Sequence, residues 1–240
     1  MTRADTVAEE PWCLDANDVR VGSGTASPGH AEALAAGRLL ADGYVAQRDD
    51  LLSISVEPLA GGGVRLCAQV AAAGFEAART EAIHRATHGC GLLHFVSCDD
   101  AAARLPRSGR LPAPEATVEL LRSLFAACAA ASAAGGVHGA ALVHDHALHD
   151  ALVDVSRHAA VEKAIGGAFL AGDALRHRGL VLTARISGQI ALTAARAGVA
   201  WIASRSLATT LAIAIAEAAH LPLITRAAGP DRAVIGAAGS

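Results

Sequence analysis

The strongest constraint on the fold is an alternation of helical segments with short apolar runs through residues 113–240. Four helices are predicted, near residues 114–133, 157–171, 188–197 and 207–219. Five apolar runs have the length of strands, at residues 139–143, 152–155, 180–184, 199–203 and 221–225. Strands that alternate with helices are typical of α/β folds. We therefore expect a C-terminal three-layer α/β domain.

The first half of the chain has a different pattern, which predicts a smaller α+β region over residues 1–112. Residues 1–11 are interpreted as a polar lead-in. Three strands are predicted at residues 19–26, 51–56 and 64–72. The glycines at 61–63 lie between the last two strands and indicate a hairpin.

One helix is predicted in this region, at about residues 28–42. Ser27 is the predicted N-cap, Pro28 suits the first helical position, and Gly43 suits the end of the helix. The stretch that follows the hairpin, about residues 84–112, contains Cys90 and Cys98 and is predicted to be a loop.

Composition excludes one class of function. Hydrophobic residues make up 52% of the chain, enough for a sizeable core, whereas aromatic residues make up only 3%. The net charge is -3, lysine occurs once, at Lys163, and there is no run of basic residues. A non-specific nucleic-acid binder needs a basic face, so no nucleic-acid partner is expected.

The five cysteines are widely spaced and none forms a CxxC pair, so we expect neither a disulfide framework nor a structural metal site. A reducing cytoplasm is the predicted location. The uncharged run Leu124–Val143 has the length of a membrane span, but it contains His138 and breaks at Gly135-Gly136. We interpret it as a core helix that leads into a loop and a strand, and we expect no membrane partner.

Motif-like segments run in order along nearly the whole chain. Ala134–Leu142 is similar to TGGxHxAAL, and Val153–Gly166 is similar to EDVGRHNAxDKxIG. Shorter matches are Thr183–Ser187 to SGRxS and Ser206–Ala212 to SAPTxLA. Glu10-Pro11 and the predicted first helix resemble EEPL and TPxxxxxLAxGFLxxEG. Together these segments resemble the FdhD family, the accessory sulfurtransferases of formate dehydrogenase.

The resemblance implies a fold and a function. The C-terminal domain is expected to be similar to cytidine deaminases, and the protein is expected to be a homodimer. Members of the family accept sulfur from a cysteine desulfurase as a persulfide. They pass it to the molybdenum bis(molybdopterin guanine dinucleotide) cofactor that formate dehydrogenase requires. The expected partners are therefore the desulfurase and formate dehydrogenase.

Cys90 is the predicted sulfur carrier. Thr87–Leu93 takes the place of the family's CGxC motif, with Cys90 at the first cysteine and Leu93 at the second. A thiolate is the reactive form, and His84 and His88 are close enough in sequence to lower its pKa. The alternative is that Cys90 is a small hydrophobic residue without chemistry.

The remaining candidate residues are predicted to bind the cofactor. They are Gly135, Gly136, His138, Asp154, Arg157, His158, Lys163, Arg185, Ser187, Thr209 and Gly229. All but Gly229 lie in the motifs above, and Gly229 lies in the tail Leu221–Gly236, which resembles the family's ITLVGFxRG. Helix N-termini attract phosphate groups, and basic side chains in the first turn add charged hydrogen bonds. The alternative is that these residues are ordinary helix caps, surface pairs and turn residues.

Changes within the motifs leave two functions open. Several polar family residues are replaced, among them the second cysteine, by Leu93. The chain is then either an active sulfurtransferase or a non-catalytic cofactor-binding chaperone of the same family. A nucleotide deaminase is excluded, because the HxE…PCxxC zinc signature of these enzymes is absent.

Overall fold

The computed structural model describes residues 6–72, 74–76 and 110–236, which form two sheets. The N-terminal sheet has the strand order β2-β1-β4-β3. Its strands are β1 (Glu10–Ala16), β2 (Val19–Ala26), β3 (Leu51–Pro58) and β4 (Val64–Val70). The hairpins β1–β2 and β3–β4 are antiparallel, and β1 joins them by pairing parallel to β4. The predicted hairpin around residues 61–63 is confirmed.

The C-terminal sheet has six strands in the order β10-β9-β8-β7-β5-β6. They are β5 (His138–His144), β6 (Ala147–Asp154), β7 (Gly179–Leu182), β8 (Trp201–Ser204), β9 (Leu223–Thr225) and β10 (Ala233–Ile235). The strands β7, β8 and β9 are parallel to one another, and β5, β6 and β10 are antiparallel to their neighbours. Loops that follow β7, β8 and β9 therefore meet along one edge of the sheet.

Within the described residues, five longer helices cover the sheets. They are α1 (Ala31–Asp42), α2 (Pro114–Ala131), α3 (Arg157–Leu170), α4 (Gly188–Arg196) and α5 (Thr210–Ala218). The helix α2 shares a core cluster with residues on one face of the C-terminal sheet, and α3, α4 and α5 share a second cluster with the other face. This arrangement confirms the predicted α/β class with three layers. The likeness to cytidine deaminases stays a prediction.

The two sheets are joined through a close crossing of α1 and α3. A Cβ atom added at Gly37 of α1 would lie 1.9 Å from the backbone oxygen of Glu162, and one at Gly166 of α3 would lie 1.9 Å from that of Ala33. Any side chain at either glycine would force the helices apart. The crossing brings α1, which also packs on the N-terminal sheet, directly onto the C-terminal layer.

Three sequence predictions differ from the structure. Residues 10 and 11 are not a lead-in, because they begin β1. The strands β1 and β10 were not predicted. Ser27 does not cap α1, which begins at Ala31 behind His30, a residue with a positive φ of 56°. Instead, Ser27 forms hydrogen bonds with the start of α3, more than a hundred residues away.

The uncharged run 124–143 is a helix followed by a strand, as predicted. The helix α2 ends at Ala131 and β5 begins at His138, with Gly135 and Gly136 at positive φ between them. Across the described ranges, none of the helices combines the length and the apolar character that a bilayer crossing requires.

Candidate functional site

A cleft of about 710 Å³ opens between the N-terminal sheet and the starts of three C-terminal helices. One wall comes from β1, β2 and α1, and the other from the first turns of α3, α4 and α5. We call it the helix-start cleft. It is lined by Trp12, Ser23, Gly24, Thr25, Arg38, Ser156, His158, Ala159, Glu162, Ser187, Gly188, Gln189, Thr209, Thr210 and Leu211.

Each of the three helices carries a hydroxyl N-cap at the cleft. The side chains of Ser156, Ser187 and Thr209 accept hydrogen bonds from the N3 amides of α3, α4 and α5, at 3.4, 3.4 and 3.2 Å. A cap satisfies one of the amides that have no intrahelical partner, and the N1 and N2 amides still point out of the helix end. Three such ends aimed at one space create a positive potential that suits phosphate groups.

His158 lies between two of these helix starts. Its Nε2 atom is 3.4 Å from the Ser187 hydroxyl, so the side chain ties α3 to α4 across the cleft. Burial lowers the pKa of His158, and the positive charges of Arg157 and Arg38 lower it further. At neutral pH the ring is therefore a neutral hydrogen-bonding group.

Arg38 and Glu162 form an ion pair that also lines the cleft. Arg38 donates to Asp42 at 2.8 Å and to Glu162 at 3.3 Å. Burial raises the pKa of the Glu162 carboxyl to about 7, although Arg38 acts in the opposite direction. Glu162 is therefore only partly ionised at neutral pH and is paired with the Arg38 guanidinium, so it opposes an anionic ligand only weakly.

His138 and Arg157 form a second cluster beside the start of α3. Burial lowers the pKa of His138, and the nearby Arg157 guanidinium adds to this effect. The Nε atom of Arg157 is buried and has no hydrogen-bond partner within the described part of the chain. These two predicted residues are thus brought together, but the lining of the helix-start cleft does not include them.

Asp154 and Lys163 form a buried ion pair instead of lining the cleft. The two atoms, Lys163 Nζ and Asp154 Oδ2, are 2.7 Å apart, and both side chains are almost fully buried. Asp154 also accepts from the Ser27 and Ser156 amides, and Lys163 donates to the Ser27 carbonyl at 2.6 Å. The pair fixes the segment before α1 against the start of α3, and through it positions both walls of the cleft.

The other predicted binding residues do not line this cleft. Gly135 and Gly136 form an exposed turn before β5, and Arg185 is exposed in the loop after β7. Gly229 lines a separate recess of about 300 Å³ after β9. Cys90, the predicted sulfur carrier, lies outside the described residues. Of the predicted binding residues, His158, Ser187 and Thr209 therefore line the cleft directly.

Sequence reasoning missed the contribution of the N-terminal half. Trp12 and Arg38 line the cleft from β1 and α1. Trp12 directly follows the Glu10-Pro11 match and Arg38 lies within the first-helix match, yet neither was selected as a candidate. The apolar residues Trp12, Leu14 and Ala16 are spaced two apart, as in a strand, although Cys13 and Asp15 between them are buried as well. The indole of Trp12 lies against Gly24, where an added Cβ would be 3.0 Å from the ring.

The model of the FdhD/NarQ family matches residues 7–235 of this sequence. The chain belongs to that family. The match includes both sheets and every element that lines the helix-start cleft. The resemblance inferred from the motifs is therefore confirmed.

Individual relatives agree with this assignment. The chain is 32% identical over 235 residues to the sulfur carrier protein FdhD of Burkholderia cenocepacia, which covers 93% of this chain and 84% of the relative. It is 32% identical over 237 residues to the protein of the same name from Streptomyces coelicolor, with the same coverage of 93% and 84%. A crystal structure of a proposed formate dehydrogenase accessory protein from Desulfotalea psychrophila has a TM-score of 0.70 at 21% identity, over 94% of this chain and 85% of that chain. At 21% identity, the similarity to that crystal structure shows a shared fold.

Proposed function

We propose that this FdhD-family chain is a sulfur carrier that serves formate dehydrogenase. Cys90 accepts sulfur from a cysteine desulfurase as a persulfide and passes it to molybdenum bis(molybdopterin guanine dinucleotide). Family membership and the names of the relatives support the sulfur-carrier role. The cytoplasmic location and the homodimer stay predictions from the sequence.

One observation carries the part of the proposal that concerns the acceptor. Three capped helix starts converge on one cleft, and Glu162, the only carboxylate among the described residues that line it, is buried beside Arg38. Such a surface binds the phosphate groups of a nucleotide and gives little support to a cationic ligand. The guanine dinucleotide arms of the proposed acceptor carry phosphates of this kind.

The loading step follows ordinary thiol–disulfide chemistry. The Cys90 thiolate attacks the terminal sulfur of the donor persulfide, a new S–S bond forms on Cys90, and the donor cysteine leaves as its thiolate. No outside oxidant or reductant is needed, because one S–S bond replaces another. With Leu93 in place of a second cysteine, no CxxC disulfide competes with the persulfide at this motif.

The carrier role is tested by loading the purified protein with a cysteine desulfurase and cysteine, followed by intact mass measurement. We expect the wild type and the Cys67→Ala control to gain one sulfur, and Cys90→Ala to gain none. Sulfur on Cys90→Ala equal to that on the wild type would contradict the carrier role. The cofactor-binding chaperone of the same family would then be the better description.

The acceptor role is tested separately by calorimetry with guanosine diphosphate. We expect Ser187→Ala and His158→Ala to weaken binding about 10-fold each, since each removes a polar contact at the helix starts. Arg122→Ala is the control, because Arg122 is exposed on α2. Equal affinities in all four proteins would show that the cleft is not the nucleotide site.

A further inference from the structure

The N-terminal wall of the helix-start cleft carries two hydrogen-bond donors, the indole of Trp12 on β1 and the guanidinium of Arg38 on α1. Both residues stand where the family patterns have an apolar side chain, leucine in EEPL and phenylalanine in TPxxxxxLAxGFLxxEG. This chain therefore has polar groups at that wall which the family patterns do not provide.

The indole N–H of Trp12 is a buried donor without an acceptor. The side chain is 7% exposed, and its Nε1 atom has no hydrogen-bond partner within the part of the chain that the structure describes. A Cβ atom added at Gly24 would lie 3.3 Å from Nε1, and Gly24 itself lines the cleft, so the donor is next to the ligand space. A buried donor left unsatisfied costs about 1–3 kcal/mol, and an acceptor on a ligand would remove that cost.

The guanidinium of Arg38 is held in place beside this ring. Its Nε atom donates to Asp42 at 2.8 Å, and one of its Nη atoms donates to Glu162 at 3.3 Å. A guanidinium has five N–H groups, so these two bonds leave further donors for a ligand. A Cβ atom added at Gly22 would lie 3.5 Å from the Trp12 ring and 3.9 Å from Arg38 Cγ, so the two side chains are neighbours.

We propose that Trp12 and Arg38 determine the base specificity of the cleft and select a 6-oxopurine. Phosphates at the starts of α3, α4 and α5 leave the base of a nucleotide to the opposite wall, where these two donors lie. A 6-oxopurine presents two acceptors there, O6 and N7, the pair that arginine binds in a bidentate manner, whereas a 6-aminopurine has a donor in place of O6. Adenine would set its amino group against protein donors. The inference rests on the proposed function, because it assumes that the cleft holds a nucleotide.

The base preference is tested by calorimetry with guanosine, inosine and adenosine diphosphate. Guanine and hypoxanthine share O6 and N7 and differ in the 2-amino group, so the wild type should bind their diphosphates with affinities within about threefold of each other. Adenosine diphosphate should bind at least about tenfold more weakly than inosine diphosphate, because a site built to donate to an oxo group rejects an amino group.

The two donors are tested by Trp12→Phe, which keeps a ring without the N–H, and by Arg38→Lys. Lysine keeps the charge between Asp42 and Glu162 and loses the planar fork. Each variant should lose about fivefold to tenfold in affinity for inosine diphosphate and less than about twofold for adenosine diphosphate. Ser187→Ala, at a helix start, is the matched control and should weaken both nucleotides by the same factor.

The ratio of the two affinities is the decisive measurement, because a loss of packing would weaken both nucleotides alike. Equal binding of inosine and adenosine diphosphate by the wild type would overturn the proposal. An unchanged ratio in Trp12→Phe or in Arg38→Lys would overturn the role of that residue. A wild type that binds none of the three nucleotides would contradict the acceptor role as well, whereas failure of Cys90 to load sulfur would contradict the carrier role alone.

Discussion

Replacing Lys163 by methionine tests how the two walls of the cleft are held together. Lys163→Met leaves the fully buried Asp154 carboxylate without its cation and the Ser27 carbonyl without its donor. Breaking a buried ion pair by removing one partner costs about 3–5 kcal/mol. In a chain of 240 residues, each kcal/mol lowers Tm by about 2–4 °C, so we expect a fall of about 6–20 °C.

The assay is thermal unfolding followed by circular dichroism at pH 7, with Arg122→Met as the control. Arg122 pairs with Glu119 on the exposed face of α2, and loss of such a pair costs at most about 1 kcal/mol. The double variant Asp154→Asn with Lys163→Met should lose less free energy of unfolding than the two single variants lose together, with a difference of about 1–3 kcal/mol. A Tm for Lys163→Met that matches the Arg122→Met control would refute the structural role of the pair.

Two further outcomes follow from the packing and charge around the α1–α3 crossing. Gly166→Ala should lower the free energy of unfolding by about 1–3 kcal/mol, because its Cβ would meet the Ala33 oxygen. In the control Gly167→Ala the new Cβ would lie 4.0 Å from its nearest neighbour, so that variant should be neutral or stabilising. Urea unfolding measures both. The pKa of Glu162 is about 7 in the folded protein, against an ordinary value of 4.5. As the pH rises from 4.5 to 7, the Glu162 carboxyl ionises in the unfolded chain before it ionises in the folded one, and the free energy of unfolding falls. Glu162→Gln should therefore gain stability relative to the wild type between about pH 5 and pH 8, by at most about 3 kcal/mol, and parallel pH profiles for the two proteins would contradict this.

Local sequence signals predicted the helices of the second half well, because their ends are set by nearby groups. Ser187 lies directly before α4 and caps it, and the hydroxyl of Ser156 does the same for α3. Ser27 carries the same local signal and does not cap a helix. Its hydroxyl accepts from the Val155 amide and its own amide donates to Asp154, so contacts distant in sequence outweigh the cap.

Only one wall of the cleft could be predicted, because contacts distant in sequence form the other wall. Its helix-start wall follows motifs that are contiguous in sequence, and His158, Ser187 and Thr209 were found there. Arg38 reaches the cleft because Gly37 lets α1 approach α3, a contact distant in sequence that the first-helix motif does not reveal. Asp154 and Lys163 belong to one motif with His158, yet their side chains turn inward to each other.

The glycine contacts between α1 and α3 also limit how the protein can admit a ligand. At Gly37 and Gly166 the two helices meet backbone to backbone, with no flexible side chain between them that could adjust to a rotation. A hinge at this place would have to break the contact outright. The N-terminal wall of the helix-start cleft is therefore rigid relative to α3. The entry of a bulky ligand then depends on the loops around the mouth of that cleft.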